Sequence, residues 1–400
     1  MNIIKKAYCR IYQQAFHLVL PILPFRQPKL ITDMKGLAEL LNNKNIKKVL
    51  ILTDKGISKI GLTDELKEEL TKHKIEYSYY DNTVPNPTIQ NIEEARQLYL
   101  DTNCEAIIAF GGGSAMDCAK ICAARIVKPN QSVSKMAGLL KILKKTALLI
   151  AVPTTAGTGS ETTIAAVITD EKTHHKYPIN DFSLIPSYAV LDYRVTVGLP
   201  KHITSTTGMD ALTHAVEAYI GGMTTSFTRK NAKEAVVLIH KYLKRAYDDG
   251  NDVEARKNML QASYMAGLAF TQSCVGYCHG IAHSLGGKYG VAHGLANAVL
   301  LPYILEEYGE TCARQLAELA RLIEIASNED TNTVAAKKFI DWIKEMNAYM
   351  NIPTSFDMIK KEDVPQMAKH AAKESNPLYP VPKLMDANEL EVIYYRAGNL

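Results

Sequence analysis

Hydrophobic and polar residues follow two different periods in the two halves of this chain. In the first half, short apolar runs alternate with stretches of helical periodicity. The apolar runs, predicted as strands, are Lys47–Asp54, Ile75–Asp81, Glu105–Phe110, Thr146–Pro153 and Tyr188–Asp192. The helical stretches are Leu62–His73, Thr88–Thr102 and Ser114–Ile126. This alternation predicts a parallel sheet with helices on its faces. Between the last two strands, Ile164–Thr169 and His174–Pro178 flank a polar Asp170–Lys172 turn and predict a β-hairpin.

The second half changes to a period of 3.6 residues from about Ile203 onward. The clearest predicted helices are Arg229–Tyr247, Val253–Phe270, Gly309–Ala326 and Thr333–Met350. We therefore predict an α/β domain over residues 28–200 and an all-helical domain over residues 201–400. A cleft between two such domains is a common place for an active site.

Residues 1–27 form a separate N-terminal extension. Basic residues precede an apolar run, Ala15–Phe25, in the manner of a signal peptide. However, Pro21 and Pro24 interrupt that run, and no small-residue cleavage site follows. Apolar residues also recur at helical spacing, at Ile4, Tyr8, Ile11, Ala15 and Leu18. We interpret the extension as an amphipathic helix that docks on the protein itself or on a second subunit, in preference to secretion or membrane-surface anchoring.

Composition narrows the class of protein. Of the 400 residues, 47% are hydrophobic and 22% charged, which is close to the average of water-soluble globular proteins. Lys and Arg number 46 against 42 Asp and Glu, so the net charge of +4 is too small to indicate nucleic-acid binding. No run reaches the roughly 20 apolar residues of a membrane-spanning helix. Seven cysteines, an odd count, suggest reduced thiols in the cytoplasm. We expect no nucleic-acid partner and no membrane partner.

Two turns rich in glycine and hydroxyl groups follow predicted strands. Gly111–Ser114 follows one strand and opens a helix, where glycines let the backbone approach a phosphate and the helix N-terminus favours the anion. Ser114 and Asp117 have the spacing of a capping box. The second turn contains four hydroxyl residues and two glycines in the seven residues Thr154–Ser160. A tight turn with a capped helix is the alternative, and the dinucleotide pattern G-x-G-x-x-G is absent. Ligands of such sheets bind beyond the carboxyl ends of the strands.

Asp54 lies at the end of the first predicted strand. A carboxylate there accepts a hydrogen bond from a ribose 2′-hydroxyl and repels a 2′-phosphate. The alternative is an ordinary surface turn.

Histidine and aspartate spacing in the helical half indicates a metal site. Asp210 and His214 are four residues apart, so they project from one helical face. His279, His283 and His293 follow within fifteen residues. One aspartate with two or three histidines suits iron or zinc. Spacing alone leaves open which of the three histidines bind, and His279 with His283, which share a helical face, form the simplest pair.

Taken together, these motifs resemble the iron-containing (group III) alcohol dehydrogenases over roughly residues 28–400. The matching stretches are GGGSAMDCAK (111–120), PTTAGTGSE (153–161), GMDALTHAVEAY (208–219) and HGIAHSLGGKYGVAHGLANAVLLP (279–302). The resemblance implies a Rossmann-like dinucleotide-binding domain followed by an α-helical metal-binding, catalytic domain.

The resemblance also implies roles for individual residues. The metal ligands would be Asp210, His214, His279 and His293, holding Fe²⁺ or Zn²⁺. His283 would then be a catalytic histidine near the nicotinamide. The diphosphate site maps onto Gly111, Gly112, Gly113 and Ser114, and the nicotinamide and ribose contacts map onto Asp117, Thr154, Thr155 and Thr158. Asp54 would hold the adenine ribose, so NAD is the expected dinucleotide and NADP the alternative.

Substrate and assembly are expected from the same resemblance. Ala165 and Ala166 would widen the pocket relative to a small-diol member, and Phe270 matches an aromatic residue that narrows it. We therefore expect hydride transfer between NAD(H) and a small primary alcohol or aldehyde by a homodimer or larger homo-oligomer. The alternatives are a maleylacetate reductase, a hydroxyacid–oxoacid transhydrogenase, or a metal-dependent scaffold of a multienzyme assembly.

Overall fold

The computed structural model describes residues 1–171 and 175–400, without the side chain of His175. The chain forms two compact units. One unit is Pro24–Val197, and the other combines Met1–Leu23 with Gly198–Leu400. The N-terminal helix α1 (Ile3–Val19) therefore belongs to the unit that also contains the C-terminal half of the chain.

The unit Pro24–Val197 is an α/β fold. Its strands are β1 (Lys29–Ile31), β2 (Lys48–Leu52), β3 (Glu76–Tyr80), β4 (Ala106–Gly111), β5 (Gly138–Leu139), β6 (Leu148–Pro153), β7 (Ala165–Asp170), β8 (His175–Asn180) and β9 (Tyr188–Val190). Its helices are α2 (Met34–Asn43), α3 (Lys55–Lys59), α4 (Asp64–Lys72), α5 (Ile89–Asp101), α6 (Gly113–Val127) and α7 (Val133–Met136). Six strands form one parallel sheet in the order β1-β9-β6-β4-β2-β3. The predicted parallel sheet is confirmed.

The central strands are apolar on both faces because each face has its own core. Along β2, Val49 and Ile51 pack into one cluster, while Leu50 and Leu52 pack into the other. Every residue of β4 is buried. Continuous apolar runs of this kind are typical of parallel strands covered on both sides.

Two features of this unit differ from the prediction. The sheet has an earlier edge strand, β1, whose three residues are too few to give a recognisable pattern. The predicted hairpin is an antiparallel pair of β7 and β8, which β5 extends to a three-stranded sheet. Lys172 and His174 of that prediction lie outside the described residues.

The second unit is helical. After α1 it contains α8 (Lys201–Ile220), α9 (Ser226–Asp248), α10 (Val253–Ser273), α11 (Tyr277–Tyr289), α12 (His293–Tyr308), α13 (Ala313–Leu322), α14 (Asn332–Tyr349), α15 (Val364–Ser375) and α16 (Ala387–Ala397). The helix predicted over Gly309–Ala326 is wrong at both ends. Gly309 has a positive φ of 51°, a 3-10 turn follows it, and α13 spans only ten residues. Glycine adopts a positive φ without a steric penalty, so the chain leaves α12 at Gly309.

Helix α8 is the centre of the helical unit and packs against α9, α10 and α12. Two glycines make the close approach possible. A Cβ atom at Gly208 would lie 2.3 Å from Leu243 of α9, and one at Gly294 would lie 2.5 Å from the carbonyl oxygen of Thr206. This packing brings α8 and the start of α12 together. None of the described helices is both long and apolar enough to cross a membrane.

Candidate metal centre and nucleotide-binding edge

Three helices bring four potential metal donors together. Asp210 and His214 lie one turn apart on α8, His279 lies in the first turn of α11, and His293 begins α12. Their ligand atoms all lie within 4.8 Å of one another. The structure thus joins the Asp–His pair with His279 and His293, and the simple pairing of His279 with His283 is not the grouping found.

The chemistry of this cluster fits a divalent metal. The Nε2 atom of His279 is buried and makes no hydrogen bond to any residue in the described part of the chain, although Asp210 Oδ1 lies 3.9 Å away. Burial, and then the neighbouring histidines, hold the pKa of His279 well below its usual value. The ring is therefore neutral and keeps a lone pair. A carboxylate with neutral imidazoles is a donor set for first-row divalent metals.

Glu217 fixes the orientation of His279. This carboxylate lies on the same helical face as Asp210 and His214 and is almost fully buried. It accepts hydrogen bonds from the backbone N–H of Gly276 (2.8 Å) and of Cys278 (2.9 Å), and from His279 Nδ1 (2.6 Å). Because Nδ1 donates to Glu217, the lone pair of His279 is on Nε2, the atom that faces the cluster.

The surroundings of Glu217 are built to hold a carboxylate. Burial raises its pKa to about 7, and the hydrogen bonds from the start of α11 oppose that rise. A Cβ atom at Gly276 would lie only 2.6 Å from Glu217 Oε1, so the glycine lets the backbone reach the carboxylate. Glu217 therefore joins α8 to the first turn of α11, the turn that contains His279.

Asn297 contacts two of the four donors. It lies one turn after His293 on α12 and is completely buried. Its amide nitrogen lies 2.7 Å from Asp210 Oδ1 and 3.2 Å from His293 Nε2. This side chain links the donors of α8 and α12.

His283 lies beside the cluster rather than within it. Its ring stacks on that of His293, with centroids 5.2 Å apart. His283 Nδ1 donates to Glu374 Oε1 at 2.6 Å, and the hydroxyl of Tyr379 donates to the same oxygen at 2.8 Å. Burial pushes the pKa of Glu374 upward, but His283 and Tyr379 outweigh burial, so the pKa lies below its ordinary value. Glu374 is therefore a carboxylate that orients the His283 ring.

In the α/β unit, the two predicted turns lie side by side. Strands β4 and β6 are neighbours in register, with Gly111 opposite Pro153, and the backbone N–H of Thr154 donates to the carbonyl of Gly111 (3.1 Å). A Cβ atom at Gly112 would lie 3.4 Å from Thr155 Oγ1, and one at Gly113 would lie 3.1 Å from Thr158 Cγ2. Backbone N–H groups at the start of α6 and hydroxyls of the second turn thus border one edge of the sheet. We call it the nucleotide-binding edge, after the role predicted for it from the sequence.

The predicted capping box at this edge is wrong. Helix α6 begins at Gly113 with Gly112 as its N-cap, and no side chain caps it. Asp117 instead accepts hydrogen bonds from Ser160 Oγ (3.1 Å) and from the backbone N–H of Val167 (2.9 Å). Both carboxylate oxygens are used inside the unit, where desolvation raises the pKa of Asp117. Asp117 thus holds the second turn against α6.

Asp54 lies at the same edge, just beyond the strand that was predicted to end there. Strand β2 ends at Leu52, and β1 precedes it, so Asp54 does not end the first strand. Its Oδ1 accepts the backbone N–H of Ile57 (3.0 Å) and caps α3. Its other oxygen would lie 3.9 Å from a Cβ at Gly111. The carboxylate therefore has a local capping function and a position next to the glycine turn.

The predicted substrate-pocket residues belong to different units. Phe270 stacks on His214 of the metal cluster, with ring centroids 4.1 Å apart. Ala165 begins β7, and its carbonyl accepts a hydrogen bond from the buried Lys120 Nζ (2.8 Å). Ala166 is fully buried in the sheet core, so its side chain packs within the α/β unit.

Comparison with known proteins assigns both halves of the chain. Residues 32–193 match the family model described as iron-containing alcohol dehydrogenase. Residues 204–398 match the model of the C-terminal part of the Fe-containing alcohol dehydrogenase family. The chain belongs to the iron-containing alcohol dehydrogenase family. The resemblance seen in the sequence motifs is thereby confirmed.

Individual family members are similar along nearly the whole chain. Alcohol dehydrogenase 4 of Schizosaccharomyces pombe is 37% identical over 379 residues, covering 92% of this chain and 89% of the relative. The solved alcohol dehydrogenase of Oenococcus oeni is 34% identical with a TM-score of 0.89, covering 93% and 99%. A sulfoacetaldehyde reductase of Bifidobacterium kashiwanohense, solved in complex with NAD+, is 26% identical with a TM-score of 0.84, covering 94% and 98%. The predicted fold class is confirmed by these structures.

Sequence reasoning missed the residues that support the predicted site. Glu217 follows Asp210 by seven residues, which keeps it on the same helical face, so this spacing was a usable signal. Asn297 follows His293 by four residues, so it too could have been found on the same helical face, although its second partner, Asp210, is distant in sequence. Glu374 gave no such signal, because its partner His283 is 91 residues away.

Proposed function

We propose that this protein is a metal-dependent alcohol dehydrogenase that transfers hydride between NAD(H) and a small primary alcohol or aldehyde. The cluster of Asp210 with three histidines, whose ligand atoms lie within 4.8 Å of one another in a chain of this family, carries the proposal. A bound divalent ion would acidify the alcohol as a Lewis acid, and the nicotinamide would accept the hydride.

We propose Asp210, His214, His279 and His293 as the ligands. With a divalent ion bound, one carboxylate among neutral imidazoles would give the site a net charge of +1, which would favour the deprotonated form of the alcohol. Ferrous iron is the proposed ion, and zinc suits the same nitrogen and oxygen donors. Glu217 and Asn297 hold the donors of the three helices in place.

His283 is the proposed proton carrier. Its Nδ1–H is fixed on Glu374, so Nε2 is the atom that takes a proton during alcohol oxidation and returns it during aldehyde reduction. The positive ring that results is stabilised by the Glu374 carboxylate, as in other histidine–carboxylate pairs.

The dinucleotide is proposed to bind in the domain 28–200, and the metal in the domain 201–400. Gly111, Gly112, Gly113 and Ser114 would receive the diphosphate at the start of α6. Thr154, Thr155 and Thr158 would contact the nicotinamide half, with Asp117 fixing their turn. Asp54 would accept from the adenine ribose and favour NAD over NADP.

Ala165 and Phe270 are proposed as pocket residues for a small, simple alcohol. We place the enzyme in the cytoplasm, in keeping with the free thiols of all seven cysteines.

We also propose that the protein is a homodimer or a larger homo-oligomer. Light scattering after gel filtration measures the molar mass and so tests this proposal.

The decisive test is reconstitution without oxygen using ferrous iron, followed by NADH and NADPH consumption with acetaldehyde, butanal, lactaldehyde and succinic semialdehyde. Turnover with NADH on a simple aldehyde is the expected result. Metal-loaded protein that is silent with both cofactors and every aldehyde would overturn the proposal in favour of a transhydrogenase or a scaffold.

A further inference from the structure

The N-terminal helix α1 is bound to its own unit by one face only. Arg10 donates to the carbonyl oxygens of Val381 and Pro382 at 2.8 Å each. Gln13 Nε2 donates to the carbonyl oxygens of Pro377 (3.0 Å) and Tyr379 (2.8 Å). The face of α1 that contains Arg10 and Gln13, called here the inner face, therefore docks on the protein itself, which is one of the two alternatives predicted for the arm.

The outer face of the same helix is apolar. Ile11 is 69% exposed and Leu18 is 81% exposed, and the turn after the helix exposes Ile22 equally. The exposed apolar side chains of this outer face are Ile4, Tyr8, Ile11, Leu18 and Ile22. Their spacing of three, four or seven residues places them on one side, opposite the buried Cys9, Gln13 and Leu20. An ordinary surface helix has its charged residues on the solvent side, so the pattern of α1 is inverted.

The charge of the N-terminal arm, residues 1–27, indicates which kind of partner surface could bind its outer face. The first acidic residue of the chain is Asp33, whereas Lys5, Lys6 and Arg10 all precede it. Lys5 and Lys6 are both exposed. Helical spacing places Lys5 at the border of the apolar face and Lys6 closer to the docked side that contains Gln13. A second copy of the arm would bring more lysines without a single carboxylate, whereas paired helices usually place Glu opposite Lys beside an apolar seam. The arm is complementary to an anionic surface.

We propose that α1 binds the surface of a membrane that contains anionic lipids, lying flat with its outer face in the headgroup region. A helix with isoleucine, leucine and tyrosine on one side, and with lysines but no acidic residue elsewhere, has the composition of such in-plane helices. Lys5 would contact lipid phosphates, Lys6 would add to the attraction at longer range, and Tyr8 would lie at the interface. This inference goes beyond the proposed reaction and revises the expectation of no membrane partner.

The test is co-sedimentation of the whole protein with vesicles of phosphatidylcholine mixed with phosphatidylglycerol, compared with phosphatidylcholine alone. The wild-type protein should bind the anionic vesicles more tightly, and added salt should weaken that binding. The double variant Ile11→Gln/Leu18→Gln should lower the partition coefficient about tenfold or more, because two apolar side chains are lost from the interface. Lys5→Gln/Lys6→Gln should lower it roughly tenfold on anionic vesicles only.

Ile60→Gln is the matched control, because Ile60 is a similarly exposed isoleucine (73%) of the other unit. It should bind vesicles as the wild type does. Circular dichroism and NADH oxidation verify that every variant is folded. Equal wild-type binding to both vesicle types, or unchanged binding of the Ile11→Gln/Leu18→Gln variant, would overturn the proposal. If that variant instead halves the molar mass in light scattering and leaves vesicle binding unchanged, the face binds a second copy and the membrane proposal is wrong.

Discussion

The candidate metal centre takes four side chains from three helices, whereas the nucleotide-binding edge consists of two turns at the ends of adjacent strands. At the metal centre, chemistry resides in side chains whose orientation depends on buried partners such as Glu217 and Asn297. At the edge, much of the chemistry resides in backbone N–H groups exposed by glycines. Removing one donor at the metal centre should therefore abolish metal binding and turnover. Replacing one side chain at the nucleotide-binding edge should change cofactor affinity or preference only partly.

The largest effect is expected from Asp210→Ala and His279→Ala. Each removes one of the four donors that the described residues bring together, so stoichiometric metal and nearly all turnover should be lost. Metal content by mass spectrometry and NADH consumption are the measurements. His370→Ala, which changes an exposed histidine of α15, is the control and should keep its metal. Stoichiometric metal in both donor variants would remove this cluster from consideration.

His283→Ala should separate catalysis from metal binding. The variant should keep its metal, because His283 lies outside the donor cluster. Its turnover should fall by about 10²–10⁴-fold, the usual contribution of a general acid or base. Glu374→Gln keeps the ring but removes its carboxylate partner, so a smaller loss is expected. Full turnover of His283→Ala would show that another group carries the proton.

Glu217→Gln sharpens the comparison because it changes no donor. Glutamine offers one acceptor oxygen in place of two and places an NH₂ group among three hydrogen-bond donors. Metal affinity, measured by competition with a chelator, should fall about 10–100-fold. Glu318→Gln is the matched control, since Glu318 bonds Tyr219 of the same helix and touches no donor. Unchanged affinity in Glu217→Gln would mean that His279 is held by packing alone.

Asp54→Ser should have the smallest effect and act only at the nucleotide-binding edge. Serine keeps an acceptor for the N–H of Ile57 but removes the charge, so α3 stays capped. We expect kcat/KM with NADPH to rise several-fold relative to NADH, with metal content unchanged. Asp54→Gly should shift the preference equally and cost a few tenths of a kcal/mol in stability. An unaltered cofactor preference in both variants would refute the ribose assignment.

The parallel sheet was predictable because its strands are apolar on both faces and are separated by amphipathic helices. The edge strand β1 was not, since three residues carry no period. The capping box failed for a related reason. The spacing of Ser114 and Asp117 is suitable for a cap, but the carboxylate binds Ser160 and Val167, which are distant in sequence. A local spacing pattern predicts a local hydrogen bond, but the prediction fails when a residue distant in sequence binds the same side-chain atoms.

The sequence by itself determined the family, the two-part architecture and the residue types of the candidate site, because each is written in contiguous motifs. Residue spacing alone left open which histidines join Asp210 and His214; the family resemblance pointed to His279 and His293, and the tertiary structure places these two beside the pair. His279 and His283 share a helical face, yet the packing of α12 brings His293 to the cluster and leaves His283 with Glu374. It also gave Glu217, Asn297 and Asp54 their roles and left the apolar face of α1 exposed. These outcomes depend on distances between segments far apart in the chain, and hydrophobic periodicity carries no information about such distances.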